Sequence, residues 1–256
     1  MWKGALVLGA GKIPVKLYSA VQDRSVHFHL LGRKSEARVR QKLVNPETAE
    51  EEPRENVRKG YEIEPGTFVV VEPQELESVE PPPSRDIEPI AFVPAEKIDP
   101  QWYERPYYLG PDGDTEPYFA FVEALENKKR AAIAQWVMRK RQYYGAVRAE
   151  RECLVLFAMR NTEEVLSPRE LPAPGSPADP RELRMAEQLI QALEGDFRPE
   201  DFRDEYRERV QEFLEQKAKG RAPKLSAVPT KKPAESILDA LSASLQSIKK
   251  RGRAVA

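Results

Sequence analysis

Thiols, imidazoles and long apolar runs are nearly absent from this 256-residue chain, and each shortage removes a class of function. A single cysteine, Cys153, leaves no intramolecular disulfide framework and no multi-thiolate zinc site. It opens an apolar stretch and is expected to be inert. Two histidines, His27 and His29, exhaust the usual bases of nucleophilic triads. Their i, i+2 spacing puts both on one face of a strand, opposite Val26, Phe28 and Leu30, where solvent or a hydrogen bond is expected rather than a metal. The first apolar patch, residues 5–8, is too brief for a signal h-region or a membrane span, so a cytoplasmic protein with no membrane partner is expected.

Phosphate-binding glycine loops are missing as well. Strand, glycines and lysine follow in order at Leu6-Val7-Leu8-Gly9-Ala10-Gly11-Lys12. A dinucleotide fingerprint, however, needs glycine where Pro14 stands, and a P-loop needs glycine at Leu6 and Ser or Thr at Ile13. Pro14 also stops a helix from running on out of those glycines. Carboxylates are plentiful, yet no acidic cluster has a recognisable metal-nuclease spacing. No catalysis, cofactor or bound metal is expected.

What is present is charge, sorted into blocks. The net charge of -1 hides nine Lys/Arg against two Asp/Glu in residues 1–42, six against 21 in 43–126, and nine against two in 127–160. Residues 161–215 then hold seven against fifteen, and residues 216–256 hold ten against two. Blocks of one sign on a folded chain attract a polyanion to one surface and repel it from another, although solvated surface is the plainer explanation.

Apolar runs broken by Gly, Pro and charged clusters predict strands at residues 2–8, 15–19, 26–31, 39–44, 67–71 and 87–93, and with them a barrel or sandwich. Residues 45–54 read as an exposed acidic excursion, and Pro81-Pro82-Pro83 as a stiff extended connection. A helix is predicted over residues 114–130, with Asp114 or Thr115 as N-cap, Tyr118, Phe121, Val122 and Leu125 on one face, and a cationic end. Strand composition resumes over residues 131–144 and 154–159. Between Arg139 and Arg148 cations interleave with Tyr143 and Tyr144, which suits phosphate contacts and sugar packing, while Trp136, Val137 and Met138 read as ordinary core.

A proline-rich linker, residues 167–180, leads to two helices. The first has Asp179 as N-cap, Pro180 at N1, Glu182 at N3 and Gly195 closing it, with Leu183, Ala186, Leu189, Ile190 and Leu193 on one face. The second opens at Pro199 and runs to about Lys219 with Phe202, Tyr206, Val210, Phe213 and Leu214 as its stripe. From Gly220 the chain is Pro- and Lys-rich, as a flexible arm is. It carries a last amphipathic segment, Ile237, Leu238, Leu241, Leu245 and Ile248, before Lys249-Lys250-Arg251. That segment suits docking on a partner or on DNA, or a weakly folded solubilising tail.

Several segments together resemble one family, the prokaryotic Ku proteins of non-homologous end joining. They are Trp2-Lys3-Gly4 with Ile13-Pro14-Val15-Lys16-Leu17-Tyr18-Ser19-Ala20; Val26-His27-Phe28-His29-Leu30; Lys59-Gly60-Tyr61-Glu62; and Arg105-Pro106-Tyr107-Tyr108-Leu109. Further along come Ala132-Ile133-Ala134 with Val137-Met138-Arg139, Met185-Ala186-Glu187-Gln188-Leu189-Ile190, and Asp204-Glu205-Tyr206-Arg207. Order and spacing agree over roughly residues 2–220.

The resemblance implies an α+β, mainly β fold: a Ku-core β-barrel with an extended bridge, C-terminal helices and a flexible basic tail. It divides the chain into a core with bridge and one helix (1–166), a linker (167–180), a two-helix segment (181–220) and a tail (221–256). It also implies a ring-shaped homodimer threaded by ends of double-stranded DNA, recruitment of the ATP-dependent DNA ligase D, no cofactor, and a place near the bacterial nucleoid. One departure stands out. Many relatives carry a Cys-x-x-Cys pair before Lys-Gly-Tyr-Glu, whereas this chain has Asn45-Pro46-Glu47-Thr48-Ala49-Glu50, so any metal site is lost and with it that source of stiffness.

A sequence-independent grip needs cations on phosphates rather than base readout. The candidates are Lys12, Lys16, Arg33, Lys34, Arg38, Arg40, Lys42, Lys128, Lys129, Arg130, Arg139, Lys140, Arg141 and Arg148. A nonspecific architectural duplex-binding protein with no end requirement is the alternative, and a protein-interaction scaffold without nucleic acid is a third class.

Overall fold

Alternating apolar and polar side chains over the first nineteen residues make a hairpin. β1 (Trp2–Leu8) and β2 (Gly11–Ser19) pair antiparallel with Leu8 opposite Gly11. Gly9-Ala10 therefore form a two-residue turn, with Gly9 at φ +60. Of the glycines that imitate a phosphate loop, Gly9 opens that turn, where a left-handed first residue matches the twist of the flanking strands, and Gly11 begins β2. The computed structural model describes residues 2–171, 179–220 and 244. The chain divides into two compact units, residues 1–24 with 29–167, and residues 25–28 with 168–256.

In the first unit the chain continues through β3 (Lys59–Glu64), β4 (Thr67–Val71), α1 (Pro73–Ser78), β5 (Asp86–Pro94), β6 (Tyr103–Pro111), α2 (Glu116–Lys128), β7 (Arg130–Met138), β8 (Arg141–Glu150) and β9 (Cys153–Met159). Seven strands close into a barrel in the order β1-β2-β6-β9-β8-β7-β5. β1 and β5 pair in parallel, and the other barrel neighbours pair antiparallel. Closure leaves no strand edge unpaired, so every second side chain can be given to the interior. Leu6, Val15, Leu109, Leu154, Leu156, Val147, Ala132 and Ala134 fill it, none with any exposure. Pro14 is tolerated because β6 ends opposite Val15, and only the Pro14 carbonyl is needed beyond that point, accepting from the Asp112 amide.

Helix α2 contributes Tyr118, Val122 and Leu125 to this core. Thr115 is its N-cap position, but the side-chain oxygen that caps is Asp114 Oδ1, which accepts from the Glu116 amide at 3.1 Å. The Tyr118 hydroxyl donates to the Leu109 carbonyl at 2.6 Å and accepts from the Leu154 amide at 2.9 Å, joining the helix to β6 and β9. Desolvation there pushes the Tyr118 phenol above its ordinary range.

Residues 131–144, read as one strand-like stretch, are a hairpin: Met138 faces Arg141 and the loop is Arg139-Lys140, both left-handed at φ +51 and +66. β3, β6 and α1 join the elements that the apolar runs had indicated.

The expected strands at residues 26–31 and 39–44 do not form. Residues 20–58 hold no strand, only single bridges pairing Leu31 with Arg38 and Val44 with Glu51. Strand-prone residues need a neighbouring ladder, and none lies beside them here. His27 and His29, accordingly, share no strand face; both are exposed.

Two turns with one bonding pattern take the strands' place. Gly32 N–H donates to Ala37, Glu36 to Gly32 and Val39 to Leu30; thirteen positions on, Asn45 donates to Glu50, Ala49 to Asn45 and Glu52 to Leu43. Asn45 Oδ1 accepts from the Glu47 amide at 2.9 Å and Thr48 Oγ1 from the Glu50 amide at 3.3 Å. Side-chain oxygens thus stiffen the loop that lacks a thiol pair.

The second unit holds α3 (Pro180–Ala192) and α4 (Glu205–Ala218). Asp179 caps α3 by accepting from the Arg181 amide at 2.7 Å, without the Glu182 half of a capping box. The helix ends three residues before Gly195. α4 starts later than Pro199, which opens only a single 3-10 turn. Asp204 is the effective cap, accepting from the Arg207 amide at 2.9 Å. Residues 172–178 of the proline-rich linker, and the basic tail with its amphipathic segment apart from Ser244, lie outside the described residues.

Candidate nucleic-acid interface

Register assigns the basic side chains of the barrel to its outer surface. Ile13, Val15 and Leu17 are buried, so Lys12 and Lys16, which alternate with them, point outward. Lys16 lies directly opposite Lys3 of β1. Two cations so placed repel, and Asp112 offsets this by pairing with both, at 2.6 Å to Lys16 and 3.0 Å to Lys3. The hydrogen bonds from Lys16 and then Lys3 hold the Asp112 carboxyl below its ordinary range, and the same bond raises Lys16 above its own.

Four more candidates are also tied to carboxylates. Lys12 pairs with Asp86 at 2.6 Å and Lys42 with Glu51 at 2.5 Å. Lys140 reaches Glu80 at 3.0 Å and Glu77 at 3.5 Å, and the Glu80 contact is the chief cause of its raised pKa. Arg148 sits 3.4 Å from Glu150 with its guanidinium over the Phe157 ring at 5.7 Å. A phosphate recruiting one of these must first break an existing pair, which reduces its gain.

The other nine, Arg33, Lys34, Arg38, Arg40, Lys128, Lys129, Arg130, Arg139 and Arg141, are exposed and make no ion pair among the described residues. They form three groups rather than one. Arg33, Lys34, Arg38 and Arg40 surround the Leu31 to Arg38 bridge. Lys128, Lys129 and Arg130 mark the passage from α2 to β7, with Lys129 left-handed at φ +50 closing the helix. Arg139 and Arg141 lie past the other end of β7, about 30 Å away along a nine-step strand.

Lys3 and Arg85 are basic residues that the sequence did not single out. Lys3 becomes legible once Gly9-Ala10 is taken as a two-residue turn, because the register then sets it against Lys16. Arg85 carried no signal, since it is one of six basic residues scattered through an acidic block.

Burial raises the Cys153 thiol, which donates to the Glu150 carbonyl at 3.1 Å. Among the described residues no group of three or more His, Cys, Asp or Glu is placed to hold a metal, and no helix is long and apolar enough to cross a membrane.

A closed, mainly antiparallel barrel with a long arm and exterior cations defines a class of charged β-barrel proteins, and comparison with known proteins narrows it. Residues 8–185 match the family model for the Ku70/Ku80 β-barrel domain. The non-homologous end joining protein Ku of Anaeromyxobacter sp. (strain K) is 41% identical, the alignment covering 98% of this chain and 86% of that protein. Ku 3 of Saccharopolyspora erythraea is 42% identical over 83% of this chain and 82% of its own length. The protein from Solibacter usitatus is 33% identical over 96% and 93%. The chain belongs to the Ku family of non-homologous end joining proteins.

Proposed function

We propose that two copies of this chain form a ring through which the end of a linear DNA duplex threads, regardless of sequence, and that the ring brings a DNA ligase D type of ATP-dependent ligase to the break and stimulates it. The protein performs no bond-breaking step itself and works in the bacterial cytoplasm beside the nucleoid. In this reading residues 1–166 are the clamp body, 167–180 a linker, 181–220 a helical accessory segment, and 221–256 a basic tail making a separate contact.

The observation that carries this reading is the arm between β2 and α1. Leu30, Leu31, Leu43, Val44, Tyr61, Ile63, Phe68 and Val70 all stand exposed there, although their chemistry favours burial. A second copy is the partner that the closed symmetry of most oligomers suggests. The same arm carries four of the candidate cations that make no ion pair among the described residues, so closing it on a second copy would bring those cations to a duplex. Family membership supports the same conclusion.

The test compares linear duplex with a covalently closed circle of the same sequence. Binding to the linear form and none to the circle supports the ring. Equal affinity for both favours instead an architectural protein that coats duplex without needing an end. Affinity insensitive to salt would contradict both, since phosphate contacts release counterions.

A further inference from the structure

A cavity of about 410 Å³ opens beside the β7–β8 turn, lined in part by the candidate cations Arg139 and Lys140. Its apolar lining comes from Trp2, Pro81, Pro83, Val137 and Met138. Trp2 lies so close over Gly4 that a Cβ there would fall 2.2 Å from the ring and 2.2 Å from the Arg85 carbonyl. The glycine therefore lets the indole sit flat against β1 and fixes one wall of the cavity.

The charged part of the lining is Glu80, Arg85, Arg139 and Lys140. Lys140 and Glu80 neutralise each other at 3.0 Å. Arg85 and Arg139 are left with no ion pair among the described residues. Arg139 occupies a left-handed turn position that Asn or Gly normally takes, so the turn holds its side chain at the rim at some conformational cost.

Volume, lining and charge point to one ligand chemistry. The cavity falls within the size of ordinary small-molecule sites, mostly apolar with a few convergent polar groups. Two unopposed guanidiniums match a phosphate monoester, whose oxygens accept paired N–H bonds. An indole wall suits a planar ring. We propose that this cavity takes a nucleoside 5′-monophosphate group, the phosphorylated 5′-terminal nucleotide of a DNA end, with Arg85 and Arg139 on the phosphate and Trp2 beside the base. The DNA end as its source rests on the function proposed above; the ligand chemistry does not.

The experiment uses the full chain and has two arms. In the first, equilibrium dialysis measures dAMP, deoxyadenosine and inorganic phosphate on the wild type and on an R85Q/R139Q double variant, whose unchanged melting curve confirms folding. The expected result is dAMP bound at least about tenfold tighter than either fragment, with that advantage lost in the variant. No dAMP binding, or binding indifferent to the two substitutions, overturns the site.

In the second arm, linear duplexes ending in 5′-phosphate or 5′-hydroxyl are compared. A preference for phosphate of about fivefold, falling to none in the variant, is expected. If dAMP binds but the two ends are held equally, the DNA end is overturned as the source. If neither duplex binds, the proposed function fails while the dAMP arm is judged on its own.

Discussion

In the barrel, Leu6, Val15, Ile87, Leu109 and Leu154 are wholly enclosed, whereas in the arm Leu30, Tyr61, Ile63 and Phe68 stand more than half exposed. Both regions are rich in strand-forming residues, so composition does not account for the contrast. Closure does. A seven-stranded ring supplies every strand with two neighbours and gives its inward side chains a shared interior. The β3–β4 ladder has two strands, two open edges and no buried residue of its own, and isolated ladders of that kind are marginal in water. The barrel's stability is internal, and in the proposed ring the arm's comes from a second copy.

The largest effect should separate the two regions directly. Leu156→Ala removes an enclosed barrel side chain and should lower unfolding free energy by about 2–5 kcal/mol in urea titrations. Phe68→Ala should leave that value within about 0.5 kcal/mol, as exposed sites do. It should instead weaken self-association by about tenfold or more, read by dilution in an analytical ultracentrifuge. A large loss of monomer stability from Phe68→Ala would erase the contrast.

Tyr118→Phe sharpens the barrel side. It leaves the Leu109 carbonyl and the Leu154 amide without their hydroxyl partner, at a cost of about 1–3 kcal/mol.

The arm side is sharpened by DNA binding against salt. Arg38→Gln with Arg40→Gln should reduce the slope of log affinity against log salt by about 2, since each unpaired cation contributes about 0.9. Lys42→Gln should change it less, because Glu51 already neutralises Lys42.

The smallest effect concerns Asp112. Its folded pKa lies below the ordinary 3.8, so its stabilisation is complete above that pH and is lost as pH falls through the depressed value. Lys16 is raised above 10.5, so its share is present below that pH and is lost as pH climbs through the raised value. The melting temperature of Asp112→Asn should therefore fall slightly below wild type between those limits and converge with it in acid.

The parts legible in the sequence were those where local pattern and tertiary surroundings agree. Residues 67–71 are β4 to the residue, β5 is within one residue at each end of its expected range, and α2 within two. β6 was obscured because Glu104, Arg105 and Pro106 interrupt its apolar run, and a bulge falls between Tyr103 and Arg105. Arg139-Lys140 hid a hairpin because neither residue announces a left-handed turn. In the arm, residues 26–31 and 39–44 have strand chemistry without a strand neighbour, so propensity misled where partnership decides.

The same division holds for the candidate interface. Basic blocks could be counted, but their acidic partners could not, because Asp112, Asp86 and Glu80 lie far along the chain from Lys16, Lys12 and Lys140. Ion pairing therefore sorts the fourteen candidates in a way that only the fold reveals.

Sedimentation equilibrium of the full chain at micromolar concentration tests most directly whether the arm is completed by a second copy. The account predicts twice the chain mass of 29.2 kDa, falling to 29.2 kDa when Phe68 and Val70 are both changed to Asp, with the barrel's melting unchanged. A wild-type mass of 29.2 kDa with the arm protected from hydrogen exchange would contradict it.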